Sequence, residues 1–175
     1  MATIHQVLEQ LRASSLDERD KGDKGDKFER LVKAYLRTDP EWAAKFSEVW
    51  LWSEWPGRNG RPDTGIDLVA ANRDRDDFSA IQCKFYGEHR TVAKGDIDSF
   101  VASSGRLEFS ARYIFDTARD WSENAKHALE GQAIPVQRVD IGYLDDARLD
   151  WSQYSWTTPE VVVPTGPKTL TCIGT

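Results

Sequence analysis

"SAIQCKFY", residues 79–86, sets strand-forming Ile, Phe and Tyr around a glutamine and a lysine two positions apart. Strand side chains alternate between faces, so Ala80, Gln82, Lys84 and Tyr86 share one side and Ser79, Ile81, Cys83 and Phe85 the other. A half-buried strand with a wetted polar side satisfies this pattern. So does a strand whose Gln82 and Lys84 are aimed together at one target.

Upstream, "SEVWLWSE" (47–54) and "IDLVAAN" (66–72) also read as strands. The Gly- and Pro-rich "WPGRNGRPDTG" reads as the loop between them, and "RDRDD" as a solvated turn. Connections this short favour an antiparallel meander. Residues 3–13 form an amphipathic helix through Ile4, Val7, Leu8 and Leu11. Residues 14–25, with the doubled "KGD", read as a loop. A helix over 27–37 carries Phe28, Leu31, Val32, Tyr35 and Leu36 as one stripe, with Pro40 just past its end.

Downstream, 96–104 suits a helix and "ARYIFDTA" (111–118) a strand. Ser122 caps a helix to Glu130 that Gly131 stops, and "IPVQRVDIGYL" (134–144) is a further strand. Strand–helix–strand order implies parallel crossovers. The expected fold is α/β, an αβββαβαβ chain with a mixed central sheet flanked by helices. The expected domain spans 1–151, with residues 1–20 as an N-terminal helix and loop, and 152–175 as a tail or linker.

A chain of 175 residues has room for one ordinary core. No apolar run approaches the roughly 20 residues that span a bilayer, and the N-terminus lacks the build of a signal peptide. Two cysteines, Cys83 and Cys172, form neither a disulfide framework nor a metal-ligand spacing, so a reducing cytoplasm is expected. The net charge of −6 disfavours gripping nucleic acid by bulk electrostatics. Basic residues still cluster at Lys21, Lys24, Lys27, Arg30, Lys33 and Arg37, at Arg58 and Arg61, and at His89, Arg90 and Lys94. The commoner outcome for such clusters is an ordinary solvated face.

Asp67, near the start of its strand, shares a side with Val69 and can meet Gln82 and Lys84 across the meander. A carboxylate there is costly without a partner. Carboxylate and amide oxygens suit a hard divalent cation, and a lysine beside such an ion suits phosphodiester hydrolysis. Each residue alone is more often a salt-bridged or solvated side chain. Glu29 lies at the rim of the helix stripe and can add an acid. Asp26 and Glu29 also have capping-box spacing, the commoner outcome of that pattern. Trp50 and Trp52 can stack on bases, but core packing suits them better.

"GIDLVA" followed by "AIQCKFY" resembles the PD-(D/E)xK nuclease superfamily, and more narrowly its Mrr-like branch, where glutamine replaces the acid of the last motif. "GDKFERLVKAYL" is similar to that branch's first helix. With "VWLWSEWPGR", "KGDIDSF" and "SENAKHAL" in order, residues 20–151 resemble the N-terminal nuclease domain of type ISP restriction–modification enzymes. The resemblance implies a restriction-endonuclease-like αβββαβ core. It implies Asp67, Gln82 and Glu29 as ligands of magnesium or manganese, and Lys84 as the catalytic lysine. Asp63 of "RPDTG" is a lesser candidate.

It also implies an endonuclease on duplex DNA, sequence-nonspecific by itself, in a restriction or phage-defence system. Helicase, methyltransferase and target-recognition parts would be its partners. His89, Arg90, Lys94, Arg58 and Arg61 are candidates for DNA contact. An inactive docking module, or a nuclease on single strands or RNA, are the alternatives.

Overall fold

The computed structural model describes residues 3–14, 20–62, 65–87, 89–106, 108–147, 149–159 and 163–164. Asp63 and Cys172 lie outside them. The helices are α1 (Ile4–Ala13), α2 (Asp20–Thr38), α3 (Pro40–Lys45), α4 (Asp98–Ser103), α5 (Glu123–Leu129) and α6 (Ile141–Asp145). The strands are β1 (Phe46–Leu51), β2 (Leu68–Asn72), β3 (Phe78–Lys84), β4 (Thr91–Val92), β5 (Phe109–Asp116), β6 (Asp120–Trp121), β7 (Val136–Val139), β8 (Leu149–Asp150) and β9 (Val163–Pro164).

The main sheet has five strands in the order β1-β2-β3-β5-β7. β1, β2 and β3 are antiparallel, whereas β3–β5 and β5–β7 are parallel. The expected mixed sheet is therefore present, with crossovers through α4 and α5. Alternation divides the core between its two faces. Leu68, Ala70, Ile81 and Cys83 pack with α1, α2 and α3. Val69 and Ala80 pack with Phe100 of α4, Ala125 of α5, Trp52 and Trp55.

Local chemistry sets the helix ends. The Thr3 hydroxyl accepts from Gln6 N–H and the Gln6 side chain returns the bond to Thr3 N–H, closing a capping box at the start of α1. Ser122 caps α5 by accepting from Ala125 N–H, as its position in the sequence suggests. On α2, Phe28, Leu31, Val32, Tyr35 and Leu36 are all buried, each worth about 1.5–3 kcal/mol of burial.

Several elements differ from the sequence reading. The strand expected over 47–54 ends at Leu51, where Trp52–Glu54 form a 3-10 turn, and β9 of the expected tail pairs with β8. The "KGDKGD" segment is the first part of α2 rather than a loop. Two glycines in a helix cost about 1 kcal/mol each against alanine, but the continuous apolar stripe and the Lys27–Asp23 pair at 2.7 Å support the turn. Pro40 does not merely follow a helix. It is the first residue of α3, where its missing N–H costs nothing, and the Asp39 carboxylate accepts from Glu41 and Trp42 N–H. "IGYL" leaves the last strand because Asp140 accepts from Gly142 N–H and starts α6. The parallel β4–β6 pair is new, its strands being too short to show a period.

Beyond Leu149, Trp151 is buried, and Tyr154 and Trp156 pack against the α2 side of the core. No helix among the described residues is long and apolar enough to cross a membrane.

A methyl group at Gly25 would meet nothing within 4 Å. Gly25→Ala is therefore expected to stabilise the protein by about 0.4–1 kcal/mol, read as a higher urea midpoint at unchanged slope. A neutral result would mean that this segment is not helical in solution.

Candidate active site

The loop ahead of β2 ends at Gly65, whose φ of +87° belongs to the left-handed region. A Cβ there would also come within 2.9 Å of Ser99 Oγ and 3.3 Å of Phe100 N in α4, so only glycine fits this approach. From Gly65 the chain enters β2 paired with β3. Leu68 lies opposite Ile81, and Asp67 N–H donates to Ile81 O at 2.9 Å. The Asp67 carboxylate accepts from Cys83 N–H at 2.6 Å. These two bonds bracket Gln82 and seat Asp67 beside it, in the register that strand alternation suggests.

Gln82 is 1% exposed. Its Nε2 donates to Gly65 O at 3.1 Å, which fixes the amide orientation, because a carbonyl can only accept. The Oε1 atom is then a buried acceptor with no hydrogen-bond partner among the described residues. A buried, unpaired polar atom costs roughly 1–3 kcal/mol unless something fills it.

Glu29 sits half-buried on α2. Because α2 begins at Asp20, Asp26 lies inside the helix and the capping-box reading of Asp26–Glu29 does not hold. Glu29 and Asp67 instead wall one cleft of about 280 Å³, together with Asp26, Arg30, Arg58, Leu51, Trp52, Ser53 and Ile66. Gln82 and Lys84 are not among its walls. Lys84, half-buried at the end of β3, lies opposite Asp116 of β5.

Cys83 reports the common field of these groups. Burial pushes its thiol well up, the Asp67 and Glu29 carboxylates push the same way, and Lys84 pulls it back. Charges from α2, β3 and the entry to β2 thus act on one point. Among the described residues no group of three or more His, Cys, Asp or Glu side chains is arranged to hold a metal ion. The residues that could hold an ion are the Asp67 and Glu29 carboxylates of the cleft and, on the strand paired beside Asp67, the Gln82 Oε1; oxygen donors of this kind suit a hard cation.

The other basic candidates differ in what they are free to do. Arg61 spends its guanidinium on the loop, donating to Arg58 O at 3.0 Å, Gly57 O at 2.9 Å and Glu108 at 2.9 Å, 5.5 Å from the Trp52 and Trp55 rings. Arg58 is the one of the pair that faces the cleft. Arg90 pairs with Asp96 at 3.0 Å and lies over the Tyr86 ring, and Lys94 pairs with Asp98 at 2.7 Å. His89 is exposed. The tryptophans pack rather than stack on solvent: Trp52 is buried against Trp55, and Trp50 meets Phe78.

Sequence reasoning missed Arg30 and Asp26 as walls of the cleft. Their spacing from Glu29 on one helix was the available signal. It also passed over Asp116. That carboxylate is fully buried and accepts from Arg138 Nε at 2.8 Å and Nη2 at 2.9 Å, Trp121 Nε1 at 3.0 Å and Ala118 N–H at 3.0 Å. Every acceptor direction is used, so Asp116 braces the strand beside Lys84. A larger cavity of about 530 Å³ near α3 and α6 is lined by Asp39, Glu41, Asp140 and Asp146 with Lys45, and that acidity makes it a poor seat for a phosphate.

Asp116→Ala is expected to cost about 3 kcal/mol, since it removes a fully buried carboxylate that anchors both the half-buried Arg138 guanidinium and the buried Trp121 Nε1. Asp67→Ala, which loses one charged acceptor for Cys83 N–H, should cost only about 1–3 kcal/mol. Urea midpoints of the two variants measure the order, and the reverse order would contradict the structural role of Asp116.

Residues 37–161 match the Mrr_cat_2 restriction endonuclease family. Among solved structures, the ATP-dependent type ISP restriction–modification enzyme LlaBIII bound to DNA is similar at 32% identity and a TM-score of 0.79, over 97% of this chain and 10% of that one. The MspJI restriction endonuclease in complex with a 27-mer oligonucleotide aligns at 19% identity and a TM-score of 0.49, over 79% of this chain and 29% of that one. The chain thus spans about a tenth of the length of LlaBIII. No curated protein matches the sequence.

Proposed function

As the chain belongs to the Mrr_cat_2 restriction endonuclease family, we propose that it is a metal-dependent endonuclease on duplex DNA, the cutting part of a restriction or phage-defence system in the cytoplasm. The observation that carries this reading is the unpartnered, buried Gln82 Oε1 seated beside Asp67. Asp67, Glu29 and Gln82 Oε1 would hold magnesium or manganese, which when bound supplies Lewis-acid stabilisation to phosphate charge.

The chain's own residues do the rest. Lys84 donates to the attacking water or to the phosphate oxygen that gains charge. Arg58 and Arg30, on the walls of the cleft, hold non-bridging oxygens of the scissile phosphate. Water oxygen bonds to phosphorus, the P–O bond to the leaving sugar breaks, and the leaving oxygen takes up a proton. Phosphate contacts position DNA without reading its bases, so cutting by this chain is nonspecific in sequence. Recognition, methylation and DNA movement fall to other parts of a larger polypeptide or complex.

Plasmid nicking in magnesium tests the reading, with single strands and RNA in parallel. Wild type should nick duplex DNA, and Lys84→Ala should lose at least about a hundredfold in rate, the scale of losing one preorganised donor. Magnesium should raise the melting temperature of wild type and not of Asp67→Ala. Equal nicking by wild type and Lys84→Ala would remove Lys84 from the mechanism. Absence of both nicking and magnesium stabilisation in wild type would favour a docking module. Cutting confined to RNA or single strands would reassign the substrate.

A further inference from the structure

The basic cluster on α2 divides once the chain is folded. Lys24 Nζ donates to Arg12 O at 3.1 Å, and Lys27 pairs with Asp23. Among the cluster's described side chains, Arg30, Lys33 and Arg37 remain, at i, i+3 and i+7, on one face of the helix. They line a groove of about 360 Å³ between α2, Leu51 and Pro159.

Arg30 and Leu51 belong to both this groove and the Asp67–Glu29 cleft. The groove therefore adjoins the cleft, with Arg30 and Leu51 as their common wall. Among the described residues its one acid, Glu54, is taken by Lys33 at 2.8 Å, which leaves the described lining with two cations in excess. Arg30 and Arg37 are exposed.

From these placements we infer that the groove is a rail for the phosphates of one DNA strand as it leaves the cleft. The inference rests on the nuclease reading above and adds the path of the substrate. At 1.5 Å per residue, Arg30 to Arg37 covers about 10 Å. A DNA strand carries one phosphate per roughly 3.4 Å of duplex axis, so the row matches about three consecutive phosphates. A local stripe of this kind answers the acidic total charge, because the Debye length of about 8 Å at physiological salt hides distant acids from the strand.

The test uses Arg37, which lies outside the catalytic cleft. Duplex affinity is measured by fluorescence anisotropy over a range of salt, and nicking in magnesium is measured alongside. Arg75→Ala serves as control, since Arg75 lies in the turn at the opposite end of β2 and β3 from Asp67 and Lys84. Arg37→Ala should weaken binding several-fold on every sequence and lower the slope of log affinity against log salt by about 0.9. Arg37→Glu should weaken it further, and Arg75→Ala should change neither. Unchanged affinity and slope in both Arg37 variants of a protein that nicks DNA would overturn the rail, leave the nuclease reading intact, and assign the groove to an acidic protein segment. A wild type that neither binds nor nicks would overturn the nuclease reading itself.

Discussion

The pairing of β2 with β3 is the constraint on which the site depends. Strand side chains change face at every residue, so a slip of one position would turn the residues of one strand to the wrong one of the two core faces. The register is held at the point where it matters, because Asp67 both donates its N–H to Ile81 O and accepts Cys83 N–H on its carboxylate. The same acid that would bind an ion therefore also pins the strand that carries Gln82 and Lys84. Gly65 completes the arrangement by turning the chain where no side chain fits and by offering its carbonyl to Gln82.

Around this point the fold separates braced polar groups from unfinished ones. Arg112 is 2% exposed and lacks a carboxylate partner, yet its terminal nitrogens reach Val101 O, Ser104 Oγ, Gln132 Oε1 and Ile134 O. It ties the end of α4 to the segment leading into β7. Asp116 is braced as fully by Arg138 and Trp121. Gln82 Oε1 shares its lack of a partner among the described residues with donors such as Arg112 Nε and Trp52 Nε1, but it is a pure acceptor, and it lies on the strand paired beside Asp67.

Much of this was legible in the residues. The alternation in "SAIQCKFY" gave the two faces of β3, and the short turns gave the antiparallel meander. What failed did so for local reasons that tertiary structure overrode. The glycines of "KGDKGD" suggested a loop, but packing of the stripe that follows carries the helix back through them. Pro40 looked like a stop because its role as a helix start depends on the Asp39 carboxylate folding over the next two amides. Period alone gave the shared strand side of Asp67, Gln82 and Lys84, and the paired register puts Asp67 beside Gln82. Glu29 could not, since capping or lining a cleft turns on where α2 begins. Which of six basic residues would face a groove was also closed to sequence, because Leu51 and Pro159, remote in the chain, form its other walls.

Almost all of α2 lies ahead of the segment that carries the family signature, which begins at residue 37. Its buried stripe is nevertheless a large part of the cover over one side of the sheet, beside α1, α3 and α6. A chain trimmed to the signature alone would keep three of the four proposed catalytic residues and lose that cover. The part of β3 that α2 covers, Ile81 and Cys83 included, would then face water as an oily patch, while Trp42 of α3 would still pack on Phe115. Such a fragment would clump before its chemistry could be assayed.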